Sequence, residues 1–214
     1  MVLILKRTKP SLLVPLTLGL MLAVVTPARP ATPQQADQKT KREKLQGVLK
    51  SLTGALSGMD GLMSTIGTAH QTLHDDMGDK MPPDLARDLT RELDILVHLH
   101  NGQPLLYELV KEEQSLLDEQ NRYSPTDIQA NISSMLKGRQ DLQAALRGKF
   151  AQRSDYKKRL QTAIEALTTA NPQKTETYRA VKACLDPDAL DQLIANQIDV
   201  LQGTRDWLAA FQQR

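Results

Sequence analysis

The sequence predicts an all-α protein, a bundle of about six helices with a long N-terminal amphipathic helix, following a cleavable signal peptide. Apolar residues recur at helical spacing through every long segment, and no run shows the alternation of a strand. Aromatics are scarce, with Trp207 joined by two phenylalanines and four tyrosines. Leu, Ala, Gln, Lys and Glu abound instead, a mixture that favours helix over sheet.

The first element is the export signal. Lys6, Arg7 and Lys9 precede an uncharged apolar run of 15 residues, Ser11 to Val25, and Thr26, Pro27 and Ala28 place small residues around a cut after Ala28. The run is shorter than the ~18 to 20 apolar residues a helix needs to cross a bilayer. Residues 1–28 therefore read as a signal peptide, with an uncleaved anchor as the alternative. Removing its three cations from the 27 basic groups leaves 24 against 25 acids, a mature net charge of −1. The basic pI of about 8.6 thus belongs to the targeting segment and argues for neither nucleic acid nor anionic lipid as a partner. Membrane contact is expected only through the signal, and the destination is the periplasm or the extracellular space.

Residues 29–41 carry Pro30, Pro33 and three glutamines with no apolar side chain larger than alanine, and are expected to form a flexible leader to a single helical domain over 42–214. From Leu45 the helical pattern begins: Leu45, Leu52, Met59, Ile66 and Leu73 repeat every seven residues, a coiled-coil-like stripe that should end near Gly78. A second helix is expected from Pro83 to His100, with a turn at Asn101 and Gly102. Pro104 then opens a third through Leu117, so the two pack as antiparallel neighbours or continue with a kink. Ser124, Pro125 and Asp127 give the clearest start signal, opening a fourth helix toward Phe150. Around Arg153 the pattern either breaks and recaps or runs on to Ala170. A short helix spans about 175–185, and Asp186 caps the last one.

Charge is segregated along this array. From Asp84 to Asp127 the net is −6, and from Ile128 to Arg159 it is +6. Side-by-side packing of the two segments would neutralise them; a head-to-tail contact between copies or a charged partner is the alternative. Cys184 is the only cysteine, so no disulfide forms within the chain. It reads as a small buried apolar group or as a bridge between two copies.

Two features could carry function. Over the 24 residues from Ser51 to His74 the only formal charge is Asp60, and the side opposite the apolar stripe is small and uncharged. Glycine costs ~1 kcal/mol per helical position relative to alanine. The row of Gly54, Gly58, Gly61 and Thr65 therefore reads as an interaction surface for a protein partner or a second copy, or else as a face enclosed by the protein's own bundle. The second feature is a soft-ligand row containing His70 and His74, one helical turn apart and accompanied by methionines. It suits copper or zinc, and His100 is available as a third ligand if the first two helices pack antiparallel.

Glu112 and Glu113 interrupt the apolar stripe of the third helix, one of them at its wet rim. Nucleophile elbows, phosphate loops, dinucleotide fingerprints, haem sites and zinc-protease motifs are all missing, so no catalytic activity and no cofactor is expected. The resulting expectation is an exported helical interaction or scaffold protein of the cell envelope, of the kind that serves as an accessory component of a secretion or surface-assembly apparatus. The alternative is a periplasmic soft-metal binding protein using His70 and His74.

Overall fold

The computed structural model describes residues 33–120, 123–149 and 153–213. Six α-helices follow in order: α1 Pro33–Met77, α2 Pro83–Leu117, α3 Pro125–Lys149, α4 Arg153–Ala170, α5 Thr175–Cys184 and α6 Pro187–Gln212. Short 3-10 turns at Gly78–Lys80 and Pro172–Lys174 join α1 to α2 and α4 to α5. No strand occurs among the described residues. None of the described helices is long and apolar enough to cross a membrane.

The helices pack because their buried positions follow a heptad step. In α1 a buried row of Leu45, Leu49, Leu52, Leu56, Met59, Met63, Ile66, His70, Leu73 and Met77 follows alternate steps of four and three, with Ala69 buried beside it. The same step in α2 buries Leu85, Leu89, Glu92, Leu96, Leu99, Gln103, Leu106, Val110, Glu113 and Leu117. Such rows are the seams of coiled-coil packing. Cross-helix bonds show α1 and α2 running antiparallel: Arg42 meets Asp118, Gln103 reaches the Leu56 carbonyl, Tyr107 meets Asp60 and His70 lies beside Glu92. α6 lies along α1 and α2, and α3 along α6. Trp207 anchors α6 by donating its Nε1–H to the Leu45 carbonyl at 3.0 Å and stacking on Phe211. All six helices feed one continuous apolar cluster.

Several expectations change. Residues 33–41, expected within the leader, are helical and form the start of α1. Extending an existing helix costs far less than starting one, Pro33 sits at its first position, and Asp37–Lys41 and Lys39–Glu43 pair one turn apart. The helices expected on either side of Asn101 and Gly102 are one 35-residue helix. Pro104 is tolerated inside it on the exposed side, where water can satisfy the carbonyl its missing N–H would have bonded. Gly102 lets the Arg139 guanidinium of α3 lie against α2, since a Cβ there would be 2.1 Å from Nη2 and the side chain would have to shift.

The break or continuation expected around Arg153 falls on residues 150–152, outside the described residues. Ser124 caps α3, its Oγ accepting from the Asp127 amide at 3.1 Å, and Asp186 caps α6 by accepting from the Asp188 amide at 3.0 Å. Gly78 ends α1 with a φ of 48°, the left-handed conformation glycine adopts freely. Cys184 is a free thiol, half-buried at the end of α5 against the core. Residues 1–28, the expected signal peptide, lie outside the described residues, as does Phe150.

The basic segment is neutralised by more than one neighbour. Arg159 on α4 meets Asp88 on α2, while Arg147 on α3 meets Asp191 on α6. Lys157 meets both Asp186 and Asp188.

Candidate interaction surface

The heptad seam turns one side of α1 inward and leaves the opposite side bare. Gly54, Gly58, Gly61 and Thr65 are all exposed there, and a Cβ built on any of the three glycines meets nothing within 4 Å. The bundle does not enclose this face. Three of its hydroxyls bond back to the helix. Ser51 Oγ donates to the Gly47 carbonyl at 3.1 Å, Thr65 Oγ1 to Gly61 at 2.8 Å and Thr68 Oγ1 to Ser64 at 2.9 Å. Asp60, the only charge in this stretch, turns toward α2 and accepts from the Tyr107 hydroxyl at 2.7 Å. Burial, reinforced by that carboxylate, pushes the Tyr107 hydroxyl up to about 12. The face therefore exposes backbone, methyl groups and hydroxyls, and covering it would strand no charge.

An apolar groove of about 950 Å³ runs beside this face, between α1 and α6. Leu52, Ala55, Met59, Leu62 and Val200 line it, and Val48, 42% exposed, stands at its wall. Lys44 and Asp199 supply the charges in its lining. The opposite flank of α1 holds a groove of about 760 Å³ against α2, lined in part by Glu43, Lys50, Glu108 and Lys111. The two flanks of one helix thus differ in chemistry, with the apolar one facing α6.

The two histidines differ in environment. His70 occupies a core position of the α1 seam and is buried against Glu92, whereas His74 falls one position past Leu73, off the seam, with its side chain 77% exposed beside Asp75. His100, expected on the apolar side, is exposed, because the continuous α2 seam passes through Leu99 and Gln103 instead. Among the described residues no group of three or more His, Cys, Asp or Glu side chains is placed to hold a metal ion. On this geometry neither histidine is assigned as a metal ligand.

The seams also bring polar side chains together that sequence reasoning missed. Gln103 donates its amide to the Leu56 carbonyl at 3.0 Å and accepts from Gln197 of α6 at 2.9 Å, tying three helices in one layer. Eleven residues earlier along α2, Glu92 Oε2 lies 2.7 Å from the Tyr156 hydroxyl of α4 and 3.9 Å from His70 Nε2. Burial raises the Glu92 carboxyl to about 8 and lowers His70 to about 4, so both are neutral at neutral pH and their approach is not an ion pair. Glu113, expected in part at the wet rim, is fully buried and, with Glu112 adding repulsion, is raised to about 9. The legible signal was the heptad register itself. Counting it through Leu85 and Leu89 places Glu92, Gln103 and Glu113 inside.

No protein family, no curated protein and no solved structure gives a significant match to this chain.

Proposed function

We infer that the chain is an exported helical scaffold protein of the cell envelope, acting by protein contact through the open face of α1 as an accessory part of a secretion or surface-assembly apparatus. One observation carries the contact reading: a charge-free helical face with three glycines at which an added Cβ would meet nothing within 4 Å among the described residues. Glycine at such positions weakens a helix with no packing return inside the molecule. Close approach of another backbone supplies that return. The groove against α6 extends the same surface with apolar side chains. The export part of the reading rests on the basic, apolar and small-residue order of residues 1–28.

The test is association of the full chain and of Gly58→Leu. Photo-crosslinking from position 65 in cells would capture a partner, and light scattering after gel filtration would register self-association. A Cβ at 58 meets nothing within 4 Å among the described residues and the position is exposed, so helicity and melting should be retained. Crosslinked complex or oligomer should weaken roughly tenfold or more, as overpacking a close contact costs ~1–3 kcal/mol. Association unaffected by the leucine would rule this face out, and chain retained in the cytoplasm at full length would overturn export.

A further inference from the structure

The junction of α2, α4 and α5 contains one hydroxyl proton and two acceptors. Tyr156 Oη lies 2.7 Å from Glu92 Oε2 and 2.9 Å from the Leu185 carbonyl, which closes α5. A carbonyl can only accept, so the tyrosine proton belongs to Leu185. The bond to Glu92 then needs a proton on the carboxyl, donated to Tyr156 Oη. Glu92 Oε1 has no hydrogen-bond partner, and the charged groups that act on the carboxyl among the described residues are acids. From α1 the neighbour is His70, whose Nε2 is also unpartnered at 3.9 Å. From α2 and the start of α6 come Asp88 and Asp186, both repelling a carboxylate at 92. The nearby bases are committed elsewhere, Arg159 to Asp88 and Lys157 to Asp186 and Asp188.

We propose that Glu92 is held in the core as the neutral acid and forms a pH-operated latch, so that loss of its proton to solvent releases the α4–α5 junction from α2. An ionised Glu92 would claim the tyrosine proton, leave the Leu185 carbonyl unpaired, and place an uncompensated charge in the apolar cluster. Water must enter to relieve either defect. The opening is local, because Leu185 and Cys184 sit at the terminus of the ten-residue helix α5 rather than along a long seam.

Glu92→Gln keeps the shape and donor of the neutral acid and cannot ionise. Cys184, adjacent to Leu185 and half-buried, is a native reporter whose labelling by a thiol reagent reads the opening. At about pH 6 wild type and Glu92→Gln should label alike; at about pH 9 wild type should label several-fold faster, the thiol's own ionisation being common to both. Across the interval from 4.5 to about 8 the wild-type folding constant should also fall about tenfold more per pH unit than that of the variant. A carbon-13 NMR titration of the Glu92 carboxyl in the wild type stands independently of how the variant folds, and should place its proton loss near 8. Loss near the ordinary 4.5, or equal labelling of the two proteins at both pH values, would overturn the latch.

Discussion

Glycine has opposite meanings at two places in the bundle. At Gly58 a methyl group would meet nothing, whereas at Gly203 it would come 2.8 Å from Leu52 Cδ2 in the α1–α6 seam. Gly58→Ala should therefore stabilise the fold by ~1 kcal/mol through helix propensity. Gly203→Ala should lose that gain to repacking around Leu52, at ~1–3 kcal/mol. Urea denaturation of the two variants checks the difference; a Gly203→Ala protein as stable as Gly58→Ala would mean the α1–α6 contact is looser than described. The buried acids give a second test. Glu92 and Glu113, raised from 4.5 to about 8 and about 9, contribute stability that is complete below 4.5 and lost as pH rises through those values. His70, lowered from 6.5 to about 4, contributes in the other sense, its stability complete above 6.5 and lost as pH falls through 4. Between 4.5 and 6.5 the histidine offsets one of the two acids; from 6.5 to 8 both act unopposed and the decline is steepest. Melting temperatures should fall from about pH 5 to about pH 9, and Glu113→Gln should flatten the fall by about one proton's worth. A melting temperature that climbs across this range would show that these carboxyls find partners on ionising.

What the sequence makes legible about the helices is their seams and caps, because both are local. The seven-residue recurrence from Leu45 to Leu73, the Ser124 cap and the Asp186 cap are set by residues within one or two turns, and all are found where the spacing puts them. The continuity of α2 was not legible. Asn101, Gly102 and Pro104 carry every local mark of a turn, and what overrides them is tertiary: Arg139 packs over Gly102 while the apolar seam runs unbroken from Leu99 through Gln103 to Leu106. The helical start at Pro33 was likewise hidden, since residues without apolar side chains can still extend a helix anchored elsewhere. The α1 face was legible as a lack of charge between Ser51 and His74. Whether the bundle covered it depended on where α2 and α6 pack, which no spacing within α1 determines. The histidine pair illustrates the same limit, because a separation of four residues shares a helical sector but not a seam position.

The six helices are held in register by polar groups placed where apolar ones would pack. Gln103 and Gln197 bond each other and the carbonyls of Leu56 and Leu99, so one layer fixes α1, α2 and α6 relative to each other. A shift of α2 by one heptad would bury both amides unpaired, at ~1–3 kcal/mol for each stranded group. Apolar seams alone penalise such a slip weakly, because most seam positions of α1 and α2 carry leucine or another flexible or aliphatic side chain of similar size. Gln103→Leu alone should thus cost ~1–3 kcal/mol by stranding Gln197, and Gln197→Leu should cost a comparable amount. The double variant removes donors and acceptors together and should be more stable than the sum of the two losses, a coupling of about 1 kcal/mol or more in a denaturant double-mutant cycle. If register depends on this layer, the double variant should also show broadened amide resonances in α1 and α2 despite its recovered stability. Strict additivity in the cycle would mean that the two side chains act separately, and sharp wild-type-like spectra would assign the register to the apolar seams and the loops.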